Sequence, residues 1–161
     1  MNLLEKDWFV SLLKITILIA FLWIAMWLGC FLANAEEVDV DTVIMIESSG
    51  NPMAYNSGSK AKGLMQITPI CLREWNKCHI RDGHSGDELY NPAINRKIGS
   101  WYLNEKIPIY LRFYNLEDSA ENRLMAYNWG IGNLRKYMRG QYTTIPKETE
   151  NYIKKYNKLG R

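Results

Sequence analysis

The chain has 161 residues, with 20 lysines and arginines against 17 aspartates and glutamates, giving a formal net charge of +3. Once a distinct N-terminal stretch is set aside, this length holds one real core and excludes a second domain. The small positive excess is ordinary for a soluble protein and marks no nucleic-acid surface.

The first 35 residues differ from the rest. From Ile15 to Ala33 there is no charged residue, Lys14 stands just before the run, and Ala33-Asn34-Ala35 offers a small-x-small cleavage site ahead of Glu36. The run of about 19 residues is longer than a usual signal core and just long enough to span a bilayer. Three routes stay open. The stretch is a cleaved export signal, or an uncleaved anchor with Lys14 inside and Glu36, Glu37, Asp39 and Asp41 outside, or a lipidated end at Leu28-Gly29-Cys30, which Trp27 disfavours. All three place residues 36–161 outside the cytoplasm, in the periplasm or cell envelope. The +3 charge belongs to that part, because Lys6 and Lys14 cancel Glu5 and Asp7.

Beyond the N-terminal stretch no repeat or low-complexity linker occurs, and the elements read as helices. Asp39 and Asp41 are capping-type residues, and Val40, Val43, Ile44 and Ile46 sit at helical spacing, so a short buried helix starts near Asp41 and runs into Glu47. Ser48, Ser49, Gly50, Asn51 and Pro52 then end it. Thr68-Pro69 forms an N-cap followed by proline at the first helical position, with Ile70, Cys71, Leu72 and Trp75 continuing the period. Arg81 to Asp87 is a polar loop. A helix from Pro92 to Lys106, with Ile94, Ile98, Trp101, Tyr102 and Ile107 as its apolar stripe, is expected to end at Pro108. Further helices are expected from Asp118 or Ser119 to Tyr127, from Asn133 to Arg139, and from Lys147 to Leu159. No segment alternates as a strand should, so the fold is mainly α with at most a small hairpin.

Glu47 is the residue with the most chemical promise. An acid at the end of an apolar helix, next to a turn, lies on the boundary between core and loop. Partial desolvation raises its pKa and keeps it protonated near neutral pH, which makes it a general acid. The plain alternative, a helix-end surface carboxylate, fits most glutamates, and only the surrounding motifs decide against it.

Those motifs occur in order: Glu47-Ser48-Ser49-Gly50-Asn51-Pro52; Gly63-Leu64-Met65-Gln66-Ile67-Thr68-Pro69; Asn91-Pro92 with Asn95, Ile98, Gly99, Tyr102 and Leu103; Ala126-Tyr127-Asn128-Trp129-Gly130; and Glu148-Thr149 with Asn151-Tyr152. Over about residues 38 to 156 this series resembles the soluble-lytic-transglycosylase (SLT) domain family. The resemblance implies a lysozyme-like α-helical single domain with a cleft between two lobes, and no cofactor or metal. It also implies cleavage of the β-1,4 bond between N-acetylmuramic acid and N-acetylglucosamine in peptidoglycan strands, leaving 1,6-anhydromuramoyl ends. Glu47 would protonate the leaving oxygen and then take the proton of the attacking 6-hydroxyl, with no second carboxylate.

By the same resemblance, Ser48 hydrogen-bonds near the acid, and Ser57 and Ser59 contact the acetamido group or orient the acid. Gly63 lets backbone pass close to the cleft. Met65 and Gln66 meet saccharide, although core packing is an equal reading for Met65. Tyr127 and Asn128 line the glycan groove, and the Tyr152 hydroxyl approaches the catalytic acid. Glu148 reads as a structural residue at the start of the last helix. Trp129 and Gly50 depart from the family's usual residues, which bears on subsite shape.

Cys30 lies in the N-terminal stretch. An oxidising compartment favours a Cys71–Cys78 bond, but on one unbroken helix these positions stand about 10 Å apart, so the bond requires the helix to end near Asn76. Cys71, Cys78, His79 and His84 fit no standard zinc spacing. Two rival functions remain: a hydrolytic muramidase of the goose-type lysozyme kind, and a non-catalytic glycan-binding assembly component. The setting stays open among wall growth, a secretion or conjugation apparatus, and a phage.

Overall fold

The computed structural model describes residues 14–21, 23 and 37–160. The chain divides into two units, residues 1–35 and 36–161. In the first, residues 14–21 are helical and exposed. Among the described residues no helix is long and apolar enough to cross a membrane. Most of the apolar run, the Ala33-Asn34-Ala35 site and Cys30 lie outside the described residues.

The second unit is mainly helical. Helix α1 spans Val40–Ser48 and is capped by Asp39, whose carboxylate accepts from the N–H groups of Asp41 and Thr42. Strands β1 (Tyr55–Asn56) and β2 (Ala61–Lys62) form a small antiparallel hairpin. Helix α2 spans Pro69–Cys78, with Thr68 as N-cap and proline at its start. A 3₁₀ turn at Glu88–Tyr90 leads to α3, Pro92–Trp101, capped by Asn91. After α4 (Ile107–Phe113) come α5 (Ala120–Trp129, capped by Ser119), α6 (Ile131–Met138) and α7 (Lys147–Leu159).

Two expectations are corrected. Pro108 does not end the helix begun at Pro92. A π-helical turn at Tyr102–Lys106 joins α3 to α4, and the Ile107 N–H reaches back five residues to the Tyr102 carbonyl. The widened turn accommodates a proline that lacks an N–H and would crowd the carbonyl four residues earlier. The extra residue also shifts the apolar stripe. Ile98, Leu103, Ile107 and Leu111 are fully buried, while Trp101 and Tyr102 are only half-buried. The second correction concerns Cys71 and Cys78, which are both free. Helix α2 continues unbroken through Cys78, so helical rise keeps the two thiols apart.

The core holds Val38, Val43, Met65, Ile67, Trp75, Leu124, Leu134 and Ile153 alongside the α3–α4 stripe. Asn95 is its organising polar residue, with no exposure to solvent. Its side chain accepts from the Met65 N–H at 2.8 Å and donates to the carbonyls of Lys62 and Leu89, each at 2.8 Å. Gly63 makes room for it: a Cβ there would lie 2.2 Å from Asn95 Nδ2, and the backbone has φ of 78°. Gly63 thus serves a close approach to Asn95, where the sequence suggested the cleft. These contacts fix the turn that follows β2.

Candidate active site

Glu47 stands one residue before the end of α1, which Ser49 closes in the left-handed conformation at φ 53°. It is half-buried. Helix α7 packs against α1, and Tyr152, itself 5% exposed, donates its hydroxyl to Glu47 Oε1 at 2.9 Å. One turn further on, Tyr156 accepts from the Asp39 N–H at 2.8 Å. Two tyrosines of α7 therefore hold both ends of α1, and the acid has little positional freedom.

Burial pushes the Glu47 carboxyl up from its ordinary 4.5 to about 7. The Tyr152 hydrogen bond works against that rise, and the nearby charge of Glu148 adds to it. Burial and the adjacent Glu47 charge hold the Tyr152 phenol well above its ordinary value, so it stays a donor. A carboxyl poised near neutrality can both give and receive a proton at physiological pH.

The acid faces an open groove of about 580 Å³. One wall is the end of α1, with Ile46 and Glu47; another is Asn56 of β1 and Gln66; Asn128 of α5 closes a third side. Helix α7 supplies Lys147, Glu148, Asn151, Tyr152 and Lys155. Gln66 has φ of 49°, a conformation uncommon for a residue with a side chain, and its amide nitrogen donates to the carbonyls of Gly63 and Ala54. Asn128 accepts from the buried Thr149 hydroxyl at 2.8 Å.

Of the residues singled out from sequence, the fold brings Glu47, Gln66, Asn128 and Tyr152 to this groove. Three others stand behind its wall. The Ser48 hydroxyl donates to the Leu64 carbonyl at 2.7 Å, away from the acid. The Met65 side chain is fully buried against Gly99 and offers no groove wall, because a side chain with no exposure cannot meet a ligand. The Tyr127 hydroxyl donates to the Met65 carbonyl at 2.7 Å. Together with Asn95 these bonds brace the 63–67 turn that presents Gln66. Ser57 and Ser59 sit exposed on the hairpin turn outside the groove lining, with the Ser59 hydroxyl accepting from the Ala61 N–H.

Sequence reasoning passed over Asn56, Lys147 and Lys155, and it read Glu148 as structural. Glu148 lies in the first turn of α7, as that reading has it, and it also lines the groove, where its charge acts on Glu47. The i, i+4 and i+8 spacing of Lys147, Asn151 and Lys155 was the available signal. Among the described residues no group of three or more His, Cys, Asp or Glu side chains is arranged to hold a metal ion.

A mainly helical domain holds one desolvated carboxyl in a polar groove, backed by a tyrosine, an arrangement chemically able to give a proton to a polar ligand. Comparison with known proteins makes the class specific. The family model described as "Transglycosylase SLT domain" matches residues 33–150, and the chain belongs to that family. It is 34% identical over 109 residues to the "Membrane-bound lytic murein transglycosylase E" of Buchnera aphidicola subsp. Acyrthosiphon pisum (strain APS), covering 65% of this chain and 49% of the relative. It is 33% identical over 129 residues to the protein of the same name from Buchnera aphidicola subsp. Baizongia pistaciae (strain Bp), covering 78% of this chain and 57% of the relative. The chain thus spans about half the length of these curated relatives.

Proposed function

We propose that this domain is a peptidoglycan lytic transglycosylase of lysozyme-like architecture, acting outside the cytoplasm at the cell envelope. The observation that carries the reading is Glu47, half-buried in the groove with its carboxyl near pH 7 and its Oε1 bonded to Tyr152. Protonated Glu47 gives its proton to the glycosidic oxygen between N-acetylmuramic acid and N-acetylglucosamine as positive charge develops at the anomeric carbon. The C–O bond breaks and the leaving sugar departs with that proton. Glu47, now a carboxylate, takes the proton from the muramoyl 6-hydroxyl, whose oxygen closes onto the anomeric carbon. A 1,6-anhydro end results, no water is consumed, and the acid is restored. Tyr152 steadies the carboxylate stage, because its hydroxyl donates to the oxygen that has lost the proton. Gln66, Asn128 and Asn151 supply amide groups suited to sugar hydroxyl and acetamido groups.

A hydrolytic muramidase is the second reading, and Glu148 is the observation that favours it. A second carboxylate on the groove wall is what an inverting hydrolase uses to activate water. Mass spectrometry of digested peptidoglycan separates the two: anhydro ends are lighter by one water than reducing ends. Anhydro products from wild type and from Glu148→Gln support the transglycosylase, whereas reducing ends that vanish in Glu148→Gln refute it.

A further inference from the structure

The α7 wall of the groove carries positive charge that the acid chemistry does not use. Lys147 and Lys155 lie on one face of α7 with Asn151 between them, and all three line the groove beside Glu47. Both lysines are exposed, and among the described residues neither belongs to an ion pair. Lys154 on the same helix, outside the groove lining, does approach a carboxylate, Glu150 at 4.0 Å. Lys147 also occupies the first turn of α7, where a cation opposes the helix dipole, so helix stability does not account for its place.

Eight residues at about 1.5 Å of rise separate the two lysines by about 12 Å along the wall, a span comparable with a disaccharide. The acids facing them are Glu148 and Glu47, and Glu47 is about half protonated at pH 7. Burial that disfavours the Glu47 charge leaves the lysine charge on this wall incompletely matched. A neutral sugar polymer offers these ammonium groups hydroxyl and acetamido oxygens as acceptors but no opposite charge. Muramoyl residues differ from N-acetylglucosamine by a lactyl arm, which carries a carboxylate when free and a peptide with its own carboxylates when substituted.

We propose that Lys147 and Lys155 form a carboxylate-recognition rail, which makes the groove selective for acidic muramoyl glycan over neutral N-acetylglucosamine polymer. This deepens the transglycosylase reading and rests on it.

The test uses the full chain and three polymers: peptide-bearing strands, strands stripped of peptide so that the lactyl carboxylate is free, and neutral chitooligosaccharides. Wild type is expected to show kcat/KM about two- to thirtyfold higher on a carboxylate-bearing strand than on the neutral one, as two exposed charge contacts would supply. The ratio should shrink in high salt and collapse towards one in Lys147→Gln/Lys155→Gln. It should persist in Lys77→Gln/Lys154→Gln, which removes the same charge elsewhere. Preference for the peptide-bearing strand assigns the peptide carboxylates, and preference for the stripped strand assigns the lactyl group. Equal kcat/KM on all polymers, or a preference that the groove double variant retains, overturns the rail. If wild type cleaves none of them, the transglycosylase reading fails instead. The rail is then judged by the binding of Glu47→Gln protein to the same polymers, with and without the lysine pair.

Discussion

Replacing Glu47 by Gln tests the central electrostatic argument without relying on catalysis. Wild-type Glu47 has a carboxyl near pH 7 in the folded protein and near 4.5 when the chain is open. Between those values the folded state binds more protons, so stability falls as pH rises from about 4.5 to about 7. At about 1.36 kcal/mol per pKa unit the full effect is about 3 kcal/mol. The side chain is half-buried, so solvent screening trims the expected loss to about 1–3 kcal/mol. The amide of the Glu47→Gln variant keeps the shape and can still accept from Tyr152, but it never ionises. Urea unfolding of both proteins from pH 4.5 to 8.5 should give matched stability at the acid end, with the variant more stable by that margin at the alkaline end. Parallel curves, or a wild type that gains on the variant as pH rises, would refute the view that burial governs this carboxyl. Wall cleavage should be lost in the variant at every pH.

Tyr152→Phe removes the hydrogen bond that favours the ionised form of Glu47, so the alkaline limb of the kcat/KM profile should move up by about one pH unit, since about 1.4 kcal/mol corresponds to one unit. A limb that stays put or moves down, in turbidity assays on isolated walls, contradicts that role for the tyrosine. Asn95→Ala leaves the Met65 N–H and the Leu89 carbonyl without their side-chain partner, while the Lys62 carbonyl keeps the Ile67 N–H, and should cost about 2 kcal/mol or more in denaturant unfolding. A loss under about 1 kcal/mol would mean that Asn95 does not hold the turn. Cys78 should react with a water-soluble maleimide in the native protein and Cys71 only after unfolding, because one thiol is exposed and the other buried. Protection of both until a reductant is added would show them bonded.

Local structure was largely legible from residues in sequence. The capping-type residues Asp39, Thr68 and Ser119 each start a helix, and the expected last helix from Lys147 to Leu159 is present. The continuation past Pro108 was not legible, because a proline normally stops a helix and nothing local announces the π turn that admits it. The site divides in the same way. Glu47 and Tyr152 are 105 residues apart in sequence, and only their place in a resembling motif series paired them before the fold did. Met65 and Tyr127 sit in those motifs too, yet they brace the turn from behind.

By itself, then, the sequence determined which segments coil into helices, where most begin, and that a lone acid closes the first helix of the domain. Those features depend on neighbours within a turn or two, which the chain order specifies. The tertiary structure decided which motif residues face the groove, that Glu148 and two lysines join the acid there, and how far burial lifts its carboxyl. Those depend on α7 packing across α1 and on the water it excludes, a distance that sequence spacing does not record.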